Sequence, residues 1–131
     1  MPNIETTTHY YGYNVELRDG QFRDELLTFT GAATVLKGTI LARVTASGKL
    51  TPWVPAGSLG AEIPRAVLTY EVTRASAGDE PIRAMVRGEV NRNHLIIHAD
   101  GNGNALTAAH LDMLRDYGLT PVDVQQLATQ V

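Results

Sequence analysis

The feature that most constrains this chain is a series of short stretches between Thr34 and Ile97, alternating with a period of two and each cut off by glycine or proline. Successive side chains of a strand point to opposite faces, so such alternation marks strands with one face buried. Ile40, Ala42 and Val44 face one way while Thr39, Leu41, Arg43 and Thr45 face the other. Ala46-Ser47-Gly48-Lys49 reads as a turn, and Leu50 to Val54 returns as the second strand of a hairpin. Pro52 and Pro55 restrict that return to a sheet edge or end it early, because proline donates no backbone hydrogen bond. Pro55 to Gly60 is a loop. Ala66, Leu68, Tyr70 and Val72 then alternate against Arg65, Val67, Thr69, Glu71 and Thr73, which predicts another strand. A second loop follows over Ala75 to Pro81, carrying Gly78-Asp79. Ile82, Ala84 and Val86 alternate with Arg83, Met85 and Arg87 until Gly88 marks a bulge or bend. Val90 and Leu95-Ile96-Ile97 carry the last strand.

Beyond the polar stretch Asp100 to Asn104 the period changes. Leu106, Ala109, Met113, Leu114 and Tyr117 fall at helical spacing, with Asn104 or Thr107 as N-cap and Gly118 as terminator. The prediction is a helix from about residue 108 to 117. The tail from Leu119 to Val131 carries Pro121 and room for a short second helical turn. At the other end, Met1 to Thr8 is a polar, threonine-rich arm, after which Tyr11, Tyr13, Val15 and Leu17 alternate as a half-buried strand. Asp19-Gly20 has the chemistry of a two-residue hairpin turn. The whole reads as a mainly β protein with one short C-terminal helix and an extended N-terminal arm. Residues 1–30 form the arm and hairpin, and 31–131 a single β-rich domain. Ile40, Val44, Leu68, Val72, Val86, Leu95 and Ile97 are its expected core. The N-terminal hairpin has two readings: an edge packed on its own domain, or a contact arm.

Composition excludes several classes of function. With 131 residues, 44% apolar and 19% charged, the chain is long enough to bury a core and has an ordinary globular make-up. Its net charge is −3, and Arg18, Lys37, Lys49, Arg74 and Arg115 are scattered singly, with no basic run to neutralise a row of phosphates. No nucleic-acid partner is therefore expected. The absence of cysteine removes disulfides, thiolate metal sites and a cysteine nucleophile together. Met1 to Gly12 lacks the basic start and apolar stretch of a signal peptide, and Leu26 to Leu36 is too short to span a bilayer, so neither export nor membrane insertion is expected.

Catalytic and metal chemistry find little to stand on. Asp100-Gly101-Asn102-Gly103-Asn104 begins like a calcium loop, but the sixth position is Ala105 rather than Gly and the twelfth is Leu111 rather than a bidentate carboxylate. A polar turn leading into a helix cap accounts for the same residues. His94, His98 and Asp100 are a conceivable zinc or iron set. On a strand, however, residues four apart lie about 13 Å from each other, too far for one ion. Ser47, Ser58 and Ser76 all fall in turns or loops, without a nucleophile elbow. Neither cofactor nor catalytic residue is expected, which leaves a binding or structural role.

The wording of the sequence becomes specific over residues 38–97. Gly38-Thr39-Ile40-Leu41, Thr45-Ala46-Ser47-Gly48-Lys49-Leu50 and Pro52-Trp53 are followed in order by Ala66-Val67-Leu68, Glu71-Val72-Thr73 and Gly78-Asp79. Val86-Arg87-Gly88-Glu89-Val90-Asn91 with Leu95 and a short helix completes the series. This ordered series resembles the lambda-like bacteriophage head decoration proteins. The segment before Gly31 matches no motif of that family, Leu50 stands where an aromatic is common, and the loop 100–104 is an addition. The resemblance implies a small β-barrel or β-tulip-like domain that forms a trimer. It implies docking at three-fold positions on the outside of the expanded head, where the trimer holds neighbouring major capsid proteins together against packaged DNA. It makes Thr6, Thr7, Thr8, Tyr10, Tyr11, Tyr13 and Val15 the expected capsid-contact residues, since an extended arm can add a strand to an exposed sheet edge. A second reading from another class is a carbohydrate- or peptide-binding β domain using Trp53 and the tyrosines.

Overall fold

A computed structural model describes residues 14–123. Its frame is a pair of long antiparallel strands, β1 (Glu16–Phe29) and β7 (Gly78–Asn91), paired from Glu16↔Val90 to Phe29↔Gly78. Between them in sequence come β2 (Ala33–Val35), β3 (Ile40–Arg43), β4 (Leu50–Pro52), β5 (Pro64–Val67) and β6 (Val72–Arg74); helix α1 (Ala108–Asp116) and β8 (Leu119–Val122) follow. The order β1-β4-β3-β5-β7 closes on itself through the β1–β7 pairing, giving a five-stranded barrel. β8 extends the sheet, parallel to β7 over Gly88–Asn91, and β2 with β6 makes a separate antiparallel ribbon.

The alternation read from the sequence divides the apolar residues between two cores. Leu27, Leu41, Leu50, Ala66, Ile82 and Ala84, drawn from every strand of the ring, cluster inside the barrel, with Val35 and Val72 from the small ribbon among them. The neighbouring positions Ile40, Ala42, Val67 and Met85 belong to a second cluster with Leu95, Ile97, Leu111, Leu114 and Leu119. Helix, β8 and the 95–97 segment thus cover the outside of the barrel wall, which is why β3 and β5 carry apolar residues on both faces. Each fully buried Leu or Ile contributes about 1.5–3 kcal/mol against exposure. Of the expected core, Ile40, Leu68, Val72, Leu95 and Ile97 are buried, while Val44 and Val86 are half-buried.

Helix α1 starts and stops as its sequence dictates. Thr107 accepts a hydrogen bond from the His110 backbone N–H, and the His110 ring accepts one from the Thr107 N–H, closing a capping box. Gly118, with φ 91°, follows the last turn.

Several local expectations are overturned. Asp19-Gly20 makes no hairpin; the chain runs straight on as β1, and Asp19 (φ 57°) forms a bulge where the register with β7 shifts. The bulge faces Gly88 (φ 126°), where a Cβ would lie 2.7 Å from the Asp19 carbonyl oxygen, so the two irregularities nest and bend the ribbon. The expected strand 65–73 is split: after the Leu68 N–H bonds to the Thr39 carbonyl, the chain leaves the sheet before β6 begins. There the Tyr70 hydroxyl accepts from the Arg83 N–H in place of a strand. The loop 75–81 shrinks because β7 already begins at Gly78. Leu95–Ile97 is not a strand but a bridge between 3-10 turns at Arg92–His94 and His98–Asp100, held by Ile96 to Gly38 and Ile40. Residues 119–122 form β8 instead of a helical turn, with Pro121 tolerated on an edge strand.

Candidate functional site

Of the seven expected contact residues, Thr6, Thr7, Thr8, Tyr10, Tyr11 and Tyr13 lie outside the described residues. Val15 is described and is 2% exposed, in the outer core; its carbonyl accepts from the Asn91 N–H at 2.8 Å. That hydrogen bond ties the chain to the domain one residue before β1 begins.

Trp53, the anchor of a ligand platform, is fully buried. Its indole N–H donates to the Glu62 carbonyl at 2.8 Å, and its ring meets the His110 ring in a T-shaped pair with centroids 5.2 Å apart. The exposed aromatic patch that reading required is therefore not built on Trp53. His94 and His98 do not share a strand face, because they sit in two different 3-10 turns. His98 Nδ1 lies 3.0 Å from Asn102 Oδ1, and among the described residues no three His, Asp or Glu side chains gather where they could hold an ion. Asn104 donates to the carbonyls of Asn93 and Arg92, so the 100–104 loop spends its polar groups tying two turns together. Among the described residues no helix is long and apolar enough to cross a membrane.

Polar chemistry concentrates at one mouth of the barrel. The inward row of β1 that buries Leu27 and Phe29 continues through Glu25 to Arg23, and the row of β3 that buries Leu41 continues to Arg43. Both Arg43 terminal nitrogens donate to the Glu25 carboxylate at 2.8 Å, and Nη1 also reaches the Gly48 carbonyl at 2.8 Å. These hydrogen bonds from Arg43 hold the Glu25 carboxyl below its ordinary value of 4.5, against a smaller upward push from burial. Beside the pair opens a groove of about 650 Å³ lined by Arg23, Arg43, Arg65, Arg87, Val86 and Tyr117, among others, and by no carboxylate. Arg65 lies over the Tyr117 ring at 4.6 Å, and the Arg87 stem packs against Gly118. A second cleft, of about 670 Å³, runs past Leu26, Lys49 and Tyr70. Near it Lys49 Nζ lies 2.6 Å from Asp79, which also accepts from the Thr28 hydroxyl; Lys49 first and Thr28 second hold the Asp79 carboxyl below its ordinary value.

Sequence reading missed the arginine groove. Arg23, Arg65 and Arg87 come from three different strands, β1, β5 and β7, and only closure of the ring brings them together. The available signal was an arginine beside the apolar alternations at Arg65 and Arg87, which is not a basic run.

The barrel and its flanking helix carry the comparison with known families. Residues 13–119 match the family of the bacteriophage lambda head decoration protein D. The chain belongs to that family. The match starts at residue 13 and so takes in β1, which the resemblance over residues 38–97 had left out. No curated protein matches the chain. The head decoration family is a structural one rather than a family of known enzymes, and membership supports decoration of the phage capsid and a location in the virion.

Proposed function

We propose that the protein binds as a homotrimer on the outer surface of the expanded phage head at three-fold positions, clamping neighbouring major capsid proteins against the pressure of packaged DNA. The observation that carries this reading is the family match across the whole barrel, from residue 13 to 119. The physics needs no chemistry: a ligand whose site exists only after expansion favours the expanded state by differential binding. A closed cyclic trimer matches the symmetry of such a docking point. Three weak contacts made by one trimer act together and hold more firmly than their separate affinities.

The arm is the proposed contact. Because Val15 and β1 belong to the barrel, an arm distinct from the domain has to lie within residues 1–13, with Thr6, Thr7, Thr8, Tyr10, Tyr11 and Tyr13 as its contact residues. An extended segment of that kind gains affinity from main-chain hydrogen bonds to a sheet edge. The test is co-sedimentation with purified heads before and after expansion. Full-length protein should pellet with expanded heads only, and protein lacking residues 1–13 should stay in the supernatant while melting at the same temperature. Equal coating of both head forms, or full coating without the arm, would refute the respective part of the reading.

A further inference from the structure

The groove at the barrel mouth is electrostatically unusual for a chain of net charge −3. Arg18, Arg43, Lys49, Arg74 and Arg115 each pair with a carboxylate. Arg23, Arg65 and Arg87 make no ion pair among the described residues, yet all three line one groove. Glu25 offsets this charge only in part: both its oxygens are bonded to Arg43, and Arg23 acts on it only through space. Like charges that outnumber their counter-charge repel one another, and the local potential favours anions. Two of the guanidinium groups are positioned by uncharged surfaces, Arg65 by the Tyr117 ring and Arg87 by Gly118, which leaves their donors available. Guanidinium groups bind carboxylates through paired N–H donors, and the groove's volume of about 650 Å³ falls within the range of ligand clefts, about 300–1,000 Å³.

We infer that this groove docks an acidic peptide segment of the shell protein, its Asp or Glu side chains engaging Arg23, Arg65 and Arg87. The inference rests on the reading of the chain as a capsid-binding protein. Peptide is favoured over a bare anion because Val86, Ile63 and Tyr117 line the groove together with the arginines and offer apolar contact to a chain. The groove also borders the Gln21–Arg23 part of β1, at the middle of that strand.

The probe is a fluorescent peptide of alternating glutamate and leucine, titrated with the full chain and followed by anisotropy. Salt-sensitive binding is expected, and Arg23→Gln and Arg87→Gln should each weaken it about tenfold, the value of one charged hydrogen-bonding partner. Arg115→Gln, outside the groove, should leave it unchanged. No binding, equal loss with Arg115→Gln, or displacement by inorganic phosphate at matched charge would overturn the inference. Coating of expanded heads separates the two readings. Wild-type protein that coats heads while the Arg23→Gln, Arg87→Gln double variant coats equally well overturns the groove and spares the capsid role. Wild-type protein that binds the peptide through these arginines but never coats heads overturns the capsid role, and with it the shell protein as source of the segment.

Discussion

Glu25 gives both carboxylate oxygens to Arg43 at the barrel mouth, with side-chain exposures of 11% and 32%. Solvent reaching the Arg43 side screens the pair, so its contribution is about 1 kcal/mol, the upper end for accessible ion pairs. A carboxyl whose folded pKa lies below its unfolded value stabilises the fold fully above the unfolded value, and loses that contribution as pH falls through the folded one. Melting temperature should therefore fall in acid below the ordinary value of 4.5. Glu25→Gln should melt lower at neutral pH and have a shallower acid limb, with Asp79 supplying part of the slope that remains. Parallel curves for the two proteins between about pH 7 and pH 3 would show that the pair does not couple to folding. Gly88 makes a second prediction. An alanine there meets the Asp19 carbonyl oxygen at 2.7 Å and must adopt φ 126°, so Gly88→Ala should lower the urea midpoint by the equivalent of about 1–3 kcal/mol. Trp53→Ala empties a fully buried site that also satisfies the Glu62 carbonyl, and should cost about 3–5 kcal/mol in the same measurement.

β1 joins the barrel to whatever precedes it, so the position of a truncation decides its effect. Cutting after residue 13 leaves Val15 and its bond to Asn91 in place. Cutting after Leu17 removes a buried valine, worth about 1.5–3 kcal/mol, and strands the Asn91 N–H, worth about 1–3 kcal/mol more. The shorter deletion should match the full chain in denaturant while the longer one unfolds earlier; identical midpoints would place Val15 outside the cooperative core. The β3–β4 hairpin and α1 were legible in the sequence because their signals are local: a turn between two alternating runs, and a cap with helical spacing. β1 was not, because Phe22 is the sole apolar residue between Arg18 and Glu25 and only Leu27 and Phe29 are deeply buried. A strand that buries one end and pairs far downstream shows little periodicity of its own. Asp19-Gly20 then supplied the chemistry of a turn at a place where the fold required a bulge. The arginine groove was invisible for a related reason, since it exists only across β1, β5 and β7 once the ring is closed.

At the scale of the whole molecule, closure of the barrel limits how one copy can meet another. Five strands pair in a ring, so their shared edges are consumed, and among the described residues the free edges left are those of β8, the small ribbon and the overhanging lengths of β1 and β7. A closed barrel is rigid enough to present three copies of a flanking segment at fixed spacing, which is the condition for multivalent docking. In the proposed trimer, losing one segment of three removes the gain in effective concentration it provided, and losing all three removes the attachment. The dependence on dose separates this from independent binding. Full-length protein and protein lacking residues 1–13, unfolded together in denaturant and refolded as a mixture, should form trimers with every ratio of the two chains. If the three contacts act together, head occupancy will fall more steeply than the fraction of full-length chain, because mixed trimers dissociate faster than complete ones. Occupancy in direct proportion to the full-length fraction would mean that each subunit binds by itself, and the trimer would then contribute nothing to attachment.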